Sequence, residues 1–305
     1  MMHHRHGRLY ALTVALSIAV FACGGSKQAT RVSSTSSSER DDFGDSVVVD
    51  PSRRPSRIVS LNPTTTEILF AIGAGSRLVG RSTYDVFPGD AKSVTDVGVP
   101  LRPNVEAVLA VHPDLVILYA SADNRPAAQR FQQAGLRTLA LKIDSIGQFE
   151  RDTRLLGRLT GDSAVAFTLV DSVAATLDRV RAATKNLPRP TVFIPTWDRP
   201  LIAIGGGSFL SQLLDIAGAR NIYEDIATPS AIVTIEDVAK RNPDYVLTSP
   251  AAAPTVGTEQ KWRALSAVRQ KHVLVYDTLL VGRPSVTLGA AAISLANLLH
   301  PGAVR

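Results

Sequence analysis

Two stretches of this chain match without a gap at a distance of 130 residues: NVEAVLAVHPDLVIL at 104–118 and TIEDVAKRNPDYVLT at 234–248. Each opens on a residue suited to cap a helix, Asn104 or Thr234, with a glutamate two places on, Glu106 or Glu236. About two turns of helix-compatible sequence follow, then a Pro-Asp pair, then an apolar run of the kind a buried strand needs. Further pairs keep the same order: Ile72-Gly73-Ala74 with Ala217-Gly218-Ala219 at 145, and Ile143-Asp144 with Tyr276-Asp277 at 133. Ordered matches of helix, turn and strand predict a duplicated architecture of two similar lobes.

The segments between the echoes predict parallel α/β structure, because short apolar strands alternate with helices. In the first half the strands fall at 58–62, 78–80 and 138–143. A helix begins at Thr64, where Thr64 and Glu67 have capping-box spacing, and it stops at Gly73. In the second half the order returns as a strand at 191–195, a glycine turn, a helix at 209–217 and strands at 221–223 and 273–277. Residues 145–186 have helix-forming composition almost throughout. Their second part carries Val165, Leu169, Val173, Leu177 and Val180 at helical spacing and ends before Pro188. One helix over 163–186, at about 1.5 Å per residue, spans roughly 36 Å and forms a rigid bridge between the lobes.

The first residues read as an export signal: Arg5 and Arg8, an apolar run over 9–21, then Ala22-Cys23-Gly24. The run is shorter than the roughly 20 residues that cross a bilayer. The four residues Val20-Phe21-Ala22-Cys23 resemble the lipobox of bacterial lipoproteins, in which the cysteine receives a diacylglyceryl group; the alternative is ordinary signal-peptidase cleavage that leaves a free thiol. Cys23 is the single cysteine, so no intramolecular disulfide forms. Residues 23–50, rich in Ser, Thr and charge, are expected to be a disordered tether. The boundaries are then 1–22 signal, 23–50 tether, 51–144 N-terminal lobe, 145–187 helical linker and 188–305 C-terminal lobe. Loss of Arg5 and Arg8 leaves 31 basic against 27 acidic side chains, a scattered charge of +4 that excludes a nucleic-acid surface.

Chemistry-bearing motifs are few. The run Gly205-Gly206-Gly207-Ser208 could offer amides to a phosphate, or act in an exported α/β enzyme. It lacks the Lys-Ser/Thr of a phosphate loop, however, and is better explained as a tight strand-to-helix turn. His112, His272 and His300 share no ligand spacing, so no metal site and no resident cofactor is expected. No serine stands in a nucleophile-elbow context. Tyr84, Tyr119, Trp197 and Tyr223 all fall at strand ends, the edge where open α/β sheets bind ligands, whereas Trp262 reads as helix packing. Glu106 and Glu236 suit the positive end of a helix dipole.

Taken together, RIVSLNPTTTEILFAIGAGSRLVG, RSTYDVFP, VGVPLRPNVEAVLAVHPDLVIL, GGGSFLSQLLDIAGARNIY, TIEDVAKRNPDYVL and WRALSAVRQKHVLVYD resemble the helical-backbone (class III) periplasmic binding proteins of ABC importers, nearest the cobalamin type. The resemblance implies an α/β fold of two Rossmann-like lobes joined by a single long backbone helix, with the ligand in the cleft between them. It implies ligand contacts at Tyr84, Tyr119, Leu279 and Arg283, to which the strand-end reading adds Trp197. It also implies docking of Glu106 and Glu236 to arginines on two transmembrane subunits. Pro100 and Ser230 stand where the best-known cobalamin binder has tryptophans, and Leu279 where it has an aspartate. Haem binders of the family usually place a tyrosine or histidine near Val99, and none is there. The expectation is a monomeric, non-catalytic binding protein for cobalamin, a related corrinoid or another metal chelate, anchored outside the cytoplasm through Cys23. A ferric siderophore is the main alternative ligand.

Overall fold

A computed structural model describes residues 37–304, so the signal, Cys23 and residues 24–36 of the expected tether lie outside the described residues. The rest of the expected tether is ordered. Strands β1 (Ser37–Arg40) and β2 (Ser46–Val49) pair antiparallel, and Val47 and Val49 face the core while Val48 faces out. Asp41 closes the turn by accepting from the amides of Phe43 and Asp45, then accepts from the Ala140 amide, while the Asp42 amide donates to the Ala140 carbonyl at 2.9 Å. Arg151 pairs with Asp42 and Arg158 with Glu39. Composition missed the hairpin because it has no core of its own; it buries two valines against a lobe that is already there.

The N-terminal lobe contains β3 (Ile58–Leu61), β4 (Leu78–Arg81), β5 (Leu115–Tyr119) and β6 (Arg137–Leu141), all parallel in the order β4-β3-β5-β6. Helices α1 (Pro63–Ala71), α2 (Val105–Ala110) and α3 (Arg125–Gln133) lie between them. The expected capping box is absent: Asn62 caps α1 by accepting from the Thr64 amide, Pro63 takes the first helical position, and Glu67 is buried on other business.

Two helices follow back to back, α4 (Ile146–Thr160) and α5 (Ser163–Thr184). The buried stripe of α5 is Ala166, Val170, Val173, Leu177, Val180 and Thr184; of the expected positions Val173, Leu177 and Val180 are buried, Leu169 is half-buried against the same core, and Val165 is exposed. Helix α4 approaches closely at this end, where a methyl group on Gly157 would meet the Ala166 Cβ at 2.4 Å, so residue 157 must be glycine. Helix α5 packs on α4 at one end, and on α6 (Phe209–Ile216) and α11 (Leu288–Leu299) of the second lobe.

The second lobe repeats the first. Strands β7 (Thr191–Phe193), β10 (Arg220–Asn221), β12 (Tyr245–Thr248) and β13 (Val273–Val275) are parallel in the order β10-β7-β12-β13. In both lobes the second strand precedes the first, then come the third and fourth. The lobe also holds α7 (Ile235–Arg241), α8 (Ala253–Thr258), α9 (Ser266–Arg269) and α10 (Thr278–Val281). One addition has no counterpart: β8 (Pro195–Asp198), β9 (Leu201–Ile204) and β11 (Ser230–Ile232) form a separate antiparallel sheet in the order β11-β9-β8.

The sequence echo is physical. Asn104 accepts from the Ala107 amide and Thr234 from the Asp237 amide, each three residues on, and His112 and Asn242 end the paired helices at φ 46°. Asp114 accepts from the amides of Ser56 and Arg57 and from the Ser56 hydroxyl; Asp244 accepts from the Thr191 amide and hydroxyl. Each aspartate therefore locks the start of its lobe's first strand. Strand residues alternate between two cores. Ile58, Ile117 and Leu139 belong to a cluster that runs on through Phe149, Leu156, Val173 and Leu177 to Val192, Leu213 and Leu295, while Val59, Val116 and Phe131 form an outer cluster in one lobe and Phe193, Tyr223 and Trp262 another in the other.

Candidate ligand cleft

Parallel strands put all their carboxyl ends at one edge, and the candidate residues stand there in both lobes. Tyr84 follows β4 and is 60% exposed. Its loop is held from below by Asp85, which is fully buried and accepts from the Ser82 hydroxyl at 2.5 Å, the Ser82 amide at 3.3 Å and the Thr66 hydroxyl at 2.5 Å. Burial pushes the Asp85 carboxyl above its ordinary range, against the pull of those donors. Val86 and Phe87 are exposed on the same loop.

Tyr119, at the end of β5, is half-buried and donates its hydroxyl to Asp144, at 2.9 Å and 3.1 Å from the two carboxylate oxygens. Burial, with Asp144 second, raises its ionisation. The Asp144 carbonyl accepts from the Phe209 amide at 2.9 Å, and Gln212 accepts from the Ile146 amide at 3.0 Å. Tyr119 thus stands at the junction of the lobes.

Trp197 lies on β8, the strand that sequence periodicity did not resolve, and is 63% exposed with its indole N–H donating to the Arg199 carbonyl. Its base is fixed by an alternating set of charges. Asp198 pairs with Lys261 and Arg199, and Glu259 pairs with the same two cations. The hydrogen bond from Lys261 holds the Asp198 carboxyl below its usual range. A cavity of about 470 Å³ lies beside it, lined by Trp197, Ser249, Thr255, Trp262 and Tyr276 among others.

Leu279 is 62% exposed on α10, whose start Asp277 caps. Arg283 crosses to the other lobe, where its guanidinium donates to Glu67 on α1 at 2.5 Å. The structure therefore ties Arg283 and Tyr119 to the lobe junction, and leaves Tyr84, Trp197 and Leu279 outward on a loop, a strand and a short helix. Val99 and Leu101 in a loop, and Ile232 at the end of β11, add exposed apolar surface; sequence reasoning assigned them no ligand contact because isolated aliphatic residues carry no pattern.

Other candidates resolve differently. Tyr223 is buried edge-on against Phe193 with its hydroxyl on Asp237, and Trp262 packs against Phe193, so both belong to the core. The glycine run is a packing device: the amides of Gly205, Gly206 and Gly207 donate to the carbonyls of Pro229, Ile226 and Thr228, which leaves none for a phosphate. Glu106 and Glu236 are exposed in the first turns of α2 and α7, and neither forms an ion pair among the described residues. Among the described residues no three His, Cys, Asp or Glu side chains gather as a metal group, and no helix is long and apolar enough to cross a membrane.

Known proteins carry the same pattern. A family model for periplasmic binding proteins matches residues 58–279. An uncharacterized ABC transporter substrate-binding lipoprotein of Bacillus subtilis (strain 168), YvrC, is 30% identical over 260 residues, covering 82% of this chain and 81% of its own. A vitamin B12-binding protein of Vibrio vulnificus (strain CMCP6) is 24% identical over 230 residues, 75% of this chain and 84% of its own. Among solved structures, the vitamin B12 binding protein BtuF of Vibrio cholerae superposes with a TM-score of 0.70 at 24% identity, over 80% of this chain and 96% of its own. The haem-binding protein RhuT of Roseiflexus sp. RS-1 gives 0.72 at 23%, over 81% and 99%. With its paired 2-1-3-4 sheets and the helix between them, the chain belongs to the periplasmic binding protein family.

Proposed function

We propose that this protein is a lipid-anchored substrate-binding protein that captures cobalamin or a related corrinoid between its lobes and delivers it to an ABC importer, without catalysing a reaction. The observation that carries the reading is the exposure of Tyr84 on the loop after β4, of Trp197 on β8 and of Leu279 on α10, at the carboxyl edges of both lobes. Large apolar side chains held out to water favour a broad, flat guest with apolar faces. Covering one of them contributes about 1.5–3 kcal/mol. The names of the relatives from Vibrio species support a corrinoid, and that of the relative from Bacillus subtilis supports importer and anchor. Glu106 and Glu236, at equivalent helix starts and without an ion pair among the described residues, suit two like subunits of a membrane partner.

A ferric siderophore is the second reading. Pro100 and Ser230 offer no aromatic face, and Leu279 no carboxylate, which suits a guest with less flat surface than a corrin. Calorimetry against cyanocobalamin, cobinamide, haem and ferric siderophores decides between them. The corrinoid reading expects binding of cyanocobalamin or cobinamide, weakened about tenfold or more by Trp197→Ala or Tyr84→Ala. Binding of a ferric siderophore alone, or indifference to both substitutions, would sink it.

A further inference from the structure

Two consecutive residues of α1 reach opposite walls of the cleft. Thr66 donates to Asp85, which also collects the Ser82 hydroxyl and amide and so closes the loop that displays Tyr84. Glu67 accepts from Arg283, 216 residues away in sequence, in the segment that follows Leu279 in the other lobe. Both carboxylates are shut off from solvent, Asp85 at 0% and Glu67 at 2% exposure. The helix beneath them is itself fixed, with Ile68 and Leu69 in the core shared by the lobes and Asn62 capping its start. Buried carboxylates are expensive unless fully partnered, so an apolar filler would serve packing alone at least as well. Their placement makes sense as geometry: one turn of one helix contacts the loop of each wall.

We propose that this turn of α1 sets the spacing of the two walls, Thr66 and Asp85 fixing the Tyr84 loop and Glu67 and Arg283 fixing the Leu279 segment, so that Asp85 and Glu67 are positioning residues for ligand capture. What the walls hold rests on the corrinoid reading; the spacing device does not. Neither carboxylate is open to a guest, and each acts only through the loop it holds.

The test is amide hydrogen exchange on the folded, ligand-free protein, comparing wild type with Thr66→Val, Asp85→Asn and Glu67→Gln. The reporters are bonded amides on each wall: Thr83 and Asp85 in the Tyr84 loop, Val281 and Gly282 in the last turn of α10. Loss of a charge-assisted bond predicts exchange faster by about tenfold or more at the affected loop. Thr66→Val and Asp85→Asn should do this at residues 82–88 and leave 278–285 unchanged; Glu67→Gln should do the reverse. Each should also raise the Kd for cyanocobalamin about tenfold. A rise spread evenly through a lobe, or no rise at either loop, overturns the proposal. Thr66→Val is nearly isosteric and keeps the test open if a carboxylate variant does not fold. A wild-type protein that ignores cyanocobalamin but shows the two separate exchange patterns overturns the corrinoid reading and leaves the spacing device standing.

Discussion

Gly206→Ala tests how the second lobe builds its side of the cleft. A Cβ at Gly206 would lie 2.2 Å from the Glu224 carbonyl oxygen and 2.9 Å from its carbon, both backbone atoms that no side-chain rotation can move. Ordinary contact begins near 3.4 Å, so the 224–229 loop must retreat by more than an ångström. That breaks the 2.7 Å bond from the Gly206 amide to Ile226 and strains the 2.9 Å bond from Gly205 to Pro229. Overpacking and one buried backbone bond each cost about 1–3 kcal/mol, so a loss of about 3 kcal/mol is expected. For a folded chain of this size that lowers the melting temperature by about 5 °C. The loop leads into β11, whose Ile232 is 73% exposed, so ligand affinity should fall as well. Gly147→Ala in α4, where nothing lies within 4 Å, is the control and should stay within about 1 kcal/mol of wild type. Calorimetric melting of both variants decides it: a Gly206→Ala protein that melts with wild type refutes the packing argument and reopens the glycine run as a ligand loop.

Further outcomes are expected elsewhere. Glu106→Ala with Glu236→Ala should leave ligand affinity intact and lower stimulation of the importer's ATPase; unchanged stimulation counts against docking. Burial raises the Asp152 carboxyl to about 6, although Arg151 bonds it, so the contribution of this group is fully present below about pH 4, its unfolded value, and is lost as pH rises through about 6. The loss is at most about 3 kcal/mol. Urea melts at pH 4.5 and 7.5 should show a smaller fall for Asp152→Asn than for wild type, with Glu67 and Asp85, shifted the same way, sustaining a residual slope; equal falls would contradict the assignment. Cys23→Ser should release the protein from membranes, and unchanged fractionation would reject lipidation.

The lobes were legible because a duplicated lobe reuses its punctuation. Caps at Asn104 and Thr234, left-handed turns at Gly73 and Gly218 (φ 89° and 79°), and strand anchors at Asp114 and Asp244 each answer to local backbone chemistry, which leaves a mark in sequence. The β8–β9–β11 sheet was not legible, since it has no counterpart in the first lobe and its short strands leave no echo to mark them. The same limit hid the Ser37–Val49 hairpin. At the site, Tyr84 and Trp197 could be found because aromatics are rare and strand ends are few. Glu67 was misread because a glutamate three residues after a threonine has an obvious local role, and nothing local records that its partner is Arg283 in the other lobe. Asp85 was passed over for a similar reason: its meaning lies in Thr66, on a helix rather than in its own loop.

The apolar seam that passes from Ile117 through Phe149 and Val173 to Leu213 and Leu295 bears on how a guest leaves. Swinging the lobes apart would wet that seam, and each 100 Å² so exposed costs about 2.5 kcal/mol. Such a body does not embrace its guest like a closing hand; it measures it, as fixed jaws accept one width and refuse others. The binder then stores little elastic energy with which to expel what it holds. On the importer reading proposed above, the work of release would come from the membrane partner docked on both lobes.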